Sequence, residues 1–322
     1  CDAAGFIAFI HDFGSRFNND PADMLNAAAI VNWGKDLSRS SVHTAAIVRQ
    51  ARKNGARVLS ISPGGDGNKS FSDDQVQIRP GTDRFLAAAI ISLMHDSGRI
   101  ESGLLAHAHK ADRFLSVVTD HSPAELLAQC EVKPDDAQRL FEIYGGSHPT
   151  ATLIGAGLQR YRYGGENIRF INALAFLSGN IGISGGGSYF HTHSYGNLNL
   201  KWIRPEEHVP RRALPIATIG KEILAARSPA VKFIWVNGIN VVNQAPGTPD
   251  IIRAFEQVDF KVVVDAFMND TALRADLILP TTLMLEQEDV IGSYLHHNVQ
   301  YARAVLPPPE SARNDWWIIR NL

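Results

Sequence analysis

The strongest constraint on this chain is an alternation of short apolar runs with stretches of helical periodicity, which begins near residue 28 and begins again near residue 231. Residues 28–33 read as a buried strand, residues 41–54 as a helix ending on Lys53-Asn54-Gly55, and residues 57–61 as the next strand. A cation-rich last turn followed by Gly stops a helix, because Gly takes the left-handed conformation that closes it. Residues 83–94 give a second helix, opened by Thr82 and Asp83 as cap residues. Strands separated by helices pair in parallel, so the expected fold class is α/β: two Rossmann-like parallel-sheet units with helices on both faces.

Between the two stretches the chain is more helical. Ser122-Pro-Ala-Glu125 has a cap residue, Pro at the first helical position and Glu at the third, and residues 133–144 give a further helix. Residues 151–154 read as a strand ending in Gly155-Ala-Gly157, residues 165–177 as a helix ending at Gly179, and residues 179–215 as a long irregular loop. The second stretch has strands at 231–236 and 260–264, a helix at 248–257, helical residues 271–275 and a short strand closed by Pro280. The two halves resemble each other: Gly34-Lys35-Asp36 matches Gly238-Ile239-Asn240, a second strand ends about 27 residues later at Ile61 or Val264, and Asp73 matches Asp276. A length of 322 residues suggests about two domains. We expect 1–150 as the first dinucleotide-binding unit and 151–322 as the second, which includes the loop 179–215.

Composition excludes several classes. Thirty-one Lys and Arg against 33 Asp and Glu leave a net charge of −2, which argues against a nucleic-acid or anionic-membrane protein. Two cysteines, Cys1 and Cys130, supply neither a zinc ribbon nor a four-cysteine iron–sulfur site. No apolar run reaches the roughly 18 to 20 residues of a spanning helix, so no membrane insertion by this chain is expected. Cys stands at position 1, and the last eight residues read as the interior of an amphipathic helix, so a fragment or processed chain is expected. The compartment, bacterial cytoplasm or periplasm, is left open.

Ligands of open α/β sheets bind outside the carboxyl ends of the strands. The residues there are Gly34, Lys35, Asp36 and Ser38 in the first half, and Gly238, Asn240, Asp265 and Thr271 in the second. Neither loop has the G-x-G-x-x-G pattern of ordinary NAD sites. Gly81 and Asp83 lie in Pro80-Gly-Thr-Asp83, either a plain helix start or a ligand loop. Gly179 and Asn180, with Gly185-Gly-Gly187, give many amide donors, suited to an anionic cofactor or to a linker. Tyr189-Phe-His-Thr-His-Ser-Tyr195 places His191 and His193 two apart, for substrate or cofactor contacts rather than zinc. Cys130 reads as a buried structural thiol.

The ordered set of these segments resembles the molybdopterin-dependent oxidoreductases of the dimethyl sulfoxide reductase family, in the branch with a cysteine metal ligand. The segments are Cys1 with Phe13-Gly14, Ala29–Asp36, Ile78–Asp83, Gly155-Ala-Gly157, Leu177–Gly182 with Gly185–Gly187, Val236–Asn240 with Pro246, Asp265–Ala272, and Ala275–Pro280 with Glu286. The resemblance implies two molybdopterin guanine dinucleotides holding molybdenum or tungsten, with Cys1 as metal ligand. Gly34, Lys35, Asp36, Ser38, Ser62, Pro63, Gly81, Asp83, Gly155, Gly157, Gly179, Asn180, Gly238, Asn240, Asp265 and Thr271 would then seat the cofactor. Cys1, Asp2, Thr192 and His193 would face the chemistry of a small-molecule substrate. An iron–sulfur cluster and a carboxyl-terminal cap domain belong to the family's intact proteins and are not in this stretch, so the isolated chain is expected to hold cofactor poorly and to be inactive. An electron-transfer iron–sulfur subunit or domain is the implied partner.

Departures from the family pattern bear on the reaction. Formate dehydrogenases carry His where this chain has Asp2, and Arg near Thr192, so formate oxidation is not implied. Asp2 is either a proton relay or a surface acid. Ser62-Pro63-Gly64 replaces the usual Asp-Pro-Arg, which removes an acid and a cation from one dinucleotide seat. The competing expectations are a non-catalytic structural or electron-transfer subunit of the same fold, or an unrelated two-domain nucleotide-binding enzyme such as a thiamine diphosphate or nucleotide-sugar protein.

Overall fold

The computed structural model describes residues 3–15, 18–146, 149–191, 194–199, 212–294 and 296–322. The chain forms two compact units, one of Cys1–Asn197 with Gly292–Asn298, the other of Leu198–Ile291 with Val299–Leu322. They part after Asn197 rather than after residue 150, because the strands that follow residue 150 join the first sheet.

Unit 1 runs α1 (Ala3–Phe13), β1 (Ala29–Trp33), α2 (Leu37–Ser40), α3 (Val42–Lys53), β2 (Arg57–Ser62), β3 (Asp74–Gln77), α4 (Asp83–Asp96), α5 (Ser102–Leu105), α6 (Ala111–Thr119), α7 (Pro123–Cys130), α8 (Pro134–Tyr144), β4 (Thr150–Ile154), α9 (Gly164–Leu177) and β5 (Ser188–Tyr189). Its five strands are all parallel, in the order β3-β2-β1-β4-β5. β1 is buried throughout, so its period of two shows only in which core each side chain joins. Val31 and Trp33, with Leu59 and Ile61, pack on one face against α4 and α9 through Leu86, Ile90, Ile168 and Ile171. Ile30, with Val58, Ala151 and Leu153, packs on the other against Ala45, Val48 and Ala51 of α3. Helices thus cover both faces. Ser122 and Glu125 form the expected capping box on α7, and Cys130 is buried at the end of that helix, where burial pushes its thiol up to about 11.

Unit 2 runs α10 (Ile219–Ala225), β6 (Phe233–Asn237), α11 (Val241–Gln244), α12 (Thr248–Gln257), β7 (Phe260–Asp265), β8 (Leu277–Pro280), β9 (Asp289–Ile291), β10 (Gln300–Ala302) and α13 (Asp315–Arg320). β6-β7-β8 is a parallel sheet, and β9 and β10 pair antiparallel. Val236 and Val263 pack against Ile251 and Phe255 of α12, and Ile223 of α10 joins Ala254 and Val258. Among the described residues these two helices share one sheet face. On the other, Phe233 and Phe260 stack at 6.1 Å with 51% and 44% exposure.

The internal likeness read in the sequence extends to individual hydrogen bonds. Gly34 and Gly238 have φ of 69° and 66°. The Gly34 amide donates to Ile61 O at 2.8 Å and that of Gly238 to Val264 O at 3.2 Å. Asp73 Oδ2 accepts from the amide of Val58 at 2.9 Å, and Asp276 Oδ2 from that of Lys261 at 2.7 Å, each the second residue of its strand.

A candidate cofactor cleft at the strand switch point

The order of the first sheet makes a switch point between β1 and β4: from β1 the chain goes to β2 on one side and comes back to β4 on the other. Loops leaving the two strands diverge there and open a crevice at their carboxyl ends. The Gly155 amide donates to Trp33 O at 2.7 Å. A Cβ on Gly155 would lie 2.2 Å from Gly34 O, so the two loops touch backbone to backbone.

Beside this contact is a cleft of about 90 Å³, lined by Gly34, Ser62, Pro63, Gly81, Asp83 and Gly157 together with Ile61, Ile78, Pro80, Leu158 and Tyr161. Six residues singled out from the sequence therefore meet in one place, drawn from four loops. Gly157 faces open space, whereas a Cβ on Gly81 would strike the Tyr161 ring.

Asp83 is the unusual member. It was expected as a cap residue, but the N-cap is Thr82, whose hydroxyl donates to Arg79 O at 2.6 Å rather than capping α4. Asp83 is 6% exposed, and among the described residues its carboxylate accepts a hydrogen bond from its own amide alone. Burial pushes its carboxyl up to about 6 despite the neighbouring Arg84 charge. Arg84 is committed elsewhere, donating to Gly81 O at 2.9 Å and Asn167 Oδ1 at 3.2 Å. A carboxylate kept from water without partners is costly, and that cost is recovered when a ligand supplies donors.

Asp36 and Ser38 lie on the same switch loop but bond to each other at 2.8 Å. Burial raises the Asp36 carboxyl, but the Ser38 bond and the Arg39 charge outweigh it and hold it below the usual range. Lys35 points elsewhere, into a small gap against α3, where burial pushes its ammonium down to about 8. In unit 2, Gly238, Asn240, Asp265 and Thr271 gather at the carboxyl ends of β6 and β7. Thr271 Oγ1 donates to Asn240 Oδ1 at 2.7 Å and accepts from the Val242 amide at 3.0 Å. Asp265 is held by the Phe267 amide and the Asn269 side chain.

Gly179 and Asn180 are not part of either group. Gly179 (φ 74°) ends α9 as a Schellman stop, with Asn180 N bonded to Ala175 O and Gly179 N to Phe176 O. Asn180 Oδ1 accepts from the amide of Thr150, the first residue of β4, at 2.7 Å. They thus sit at the amino end of the sheet, roughly 15 Å, one strand length, from the cleft. The run Gly185–Gly187 is pinned too: Asp23 accepts from the Gly185 amide and the Ser184 hydroxyl. The long loop also contains β5, the sheet's edge strand. Cys1, Asp2, Thr192 and His193 lie outside the described residues.

Sequence reasoning missed Gln159. It is 7% exposed, its Oε1 accepts from the Gly5 amide in the first turn of α1 at 2.8 Å, and its Nε2 has no partner among the described residues. The signal was a polar residue just beyond Gly155-Ala-Gly157 in a strand-end loop. Asn167, fully buried and bound to Arg84, was missed for a different reason: inside a helix it carries no loop signal.

The molybdopterin oxidoreductase family matches residues 6–322. The probable oxidoreductase YyaE of Bacillus subtilis is 33% identical over 322 residues, covering 99% of this chain and 48% of that protein. The dimethyl sulfoxide reductase DmsA of Escherichia coli is 26% identical across 84% of this chain and 39% of its own length. The F420-dependent formate dehydrogenase subunit alpha of Methanocaldococcus jannaschii is 23% identical across 96% and 49%. The chain thus spans about half, or less, of the length of these relatives. The solved structure of acetylene hydratase from Pelobacter acetylenicus superposes with a TM-score of 0.79 at 16% identity, over 99% of this chain and 49% of that one, and so shares the fold. A family match over nearly all residues, on a parallel-sheet fold with a switch-point cleft, means that the chain belongs to the molybdopterin oxidoreductases.

Proposed function

We propose that this chain is the central part of a catalytic subunit in which the switch-point cleft of unit 1 seats one guanine dinucleotide end of a bis-molybdopterin cofactor, and the matching strand-end rim of unit 2 seats the other. The observation that carries this reading is Asp83, a buried carboxylate that lines the cleft and, among the described residues, lacks donors other than its own amide. A guanine edge offers two adjacent N–H donors and suits it. Gln159 Nε2, just beyond the strand-end loop of Gly155–Gly157, is a buried donor without a partner among the described residues. When bound, the cofactor supplies two-electron exchange with a small substrate, through molybdenum or tungsten. Gly34 and Gly157 line the cleft without side chains that would obstruct the ligand, and Asp83 would hold the base. Cys1 would supply a thiolate ligand to the metal, Asp2 would serve as a proton relay, and Thr192 and His193 would serve the substrate chemistry. An iron–sulfur subunit or domain would take up or supply the electrons.

Metal and nucleotide analysis of the full-length protein tests this. We expect stoichiometric molybdenum or tungsten and two guanine nucleotides per polypeptide, with metal and nucleotide both reduced in Asp83→Asn. A full-length protein with neither overturns the reading. It would favour the non-catalytic relative, which the missing acid and cation at Ser62-Pro63-Gly64 support. The family match leaves no place for an unrelated nucleotide enzyme.

A further inference from the structure

Around Asp83 the switch-point cleft is walled mainly by apolar groups, among them Ile61, Ile78, Pro80 and Leu158. Among the described residues no cation lines it. Arg84, next to Asp83 in the chain, lies over the rings of Phe85 and Tyr163, 4.3 and 5.0 Å from their centroids, and donates to Gly81 O. A carboxylate repels a phosphate, and here no cation offsets that repulsion. Apolar walls around one carboxylate suit a flat heterocycle with N–H groups on its edge.

Tyr161 is the one aromatic residue in that lining among the described residues. It follows the short 3-10 turn Ala156–Arg160, which carries the chain from β4 back over the cleft. Its ring rests against Gly81: a Cβ there would come within 2.9 Å of the ring Cγ and 3.1 Å of Cδ1. Gly81, with φ of 76°, therefore needs to be glycine both for its backbone and for the ring beside it. Asp83 stands two residues further on, so ring and carboxylate flank one turn. Tyr161 is nonetheless 42% exposed, which leaves much of its surface for a ligand.

We propose that Tyr161 is the stacking platform for the purine, its ring taking the face of the base while Asp83 takes the N–H edge. This rests on the reading of the cleft as a base seat. The two contacts do different things. A ring face accepts any base, because every base has a π-face. The carboxylate reads the edge, and it favours guanine, which has two adjacent N–H donors, over adenine, which presents a single amino group.

Calorimetric titration of the cofactor-free full-length protein with GDP and with ADP tests this in the wild type, Tyr161→Phe, Tyr161→Leu and Asp83→Asn. Leucine keeps apolar bulk without a ring, and at this half-exposed position it is expected to leave the melting temperature unchanged. We expect the wild type to prefer GDP and Tyr161→Phe to match it. Tyr161→Leu is expected to weaken GDP and ADP alike, each by about tenfold, the scale of one base on one ring. Asp83→Asn is expected to remove the preference for GDP. A Tyr161→Leu variant that binds GDP like the wild type, or a Tyr161→Phe variant as weak as Tyr161→Leu, overturns the stacking role and leaves the reading of Asp83 standing. No preference in the wild type, or one that persists in Asp83→Asn, contradicts the reading of Asp83 and not the role of the ring. A wild type that binds neither nucleotide overturns both.

Discussion

Asp83 is worth more to a ligand than to the fold. Its carboxyl is pushed by burial from the ordinary 3.8 up to about 6, a difference equal to roughly 3 kcal/mol. The sign follows from linkage. Below about pH 4 the group is protonated in both states and costs nothing; between about pH 4 and 6 the unfolded chain ionises it while the folded state keeps it protonated, so stability falls, and the full cost is reached once pH passes about 6. In cofactor-free protein, Asp83→Asn is therefore expected to be neutral near pH 3.5 and stabilising by up to roughly 3 kcal/mol at pH 8, as read by urea unfolding at both pH values. A residue whose removal stabilises the apo fold while weakening cofactor retention has a binding role. An ordinary helix cap would behave in the opposite way, losing about 1 kcal/mol.

At the scale of elements, the switch point rests on a contact between two loops. Gly155→Ala would set a Cβ 2.2 Å from Gly34 O, and overpacking of this kind typically costs about 1–3 kcal/mol. Gly157→Ala meets nothing within 4 Å, so it should leave the melting temperature unchanged and intrude only on the cleft. Thermal melts of the two variants, with cofactor content for the second, check both expectations. Asp73, which bridges β2 and β3, gives a third test. Burial raises its carboxyl, but the Val58 amide and Arg52 hold it below the usual range, so its contribution is lost as pH falls through that lowered value. Asp73→Asn is expected to cost about 1 kcal/mol at pH 7 in chemical denaturation.

The same elements show what the sequence could carry. Helix α12 and the α7 capping box were legible because their signals are local. The cleft was legible because glycines and polar residues just past strand ends mark carboxyl-end loops. Strand β5 was not, since two residues within a glycine-rich run have no period to read. Gly179 and Asn180 misled because a glycine that stops a helix and a glycine that admits a ligand look alike in sequence. Lys35 was read with its loop, although its side chain leaves the other way.

On the scale of the whole molecule, two units of related design each expose a polar strand-end rim, and in each a glycine amide reaches across to the neighbouring strand. Among the described residues no helix is long and apolar enough to cross a membrane. The central claim is that the β1/β4 crevice is a dinucleotide seat. The most direct measurement is an experimental density map of the full-length, metal-loaded protein. The account expects a guanine nucleotide over Gly34 and Gly155, with its base on the Asp83 carboxylate. A loaded metal centre with that crevice empty, or with the nucleotide at the amino ends of the strands near Asn180, would contradict it.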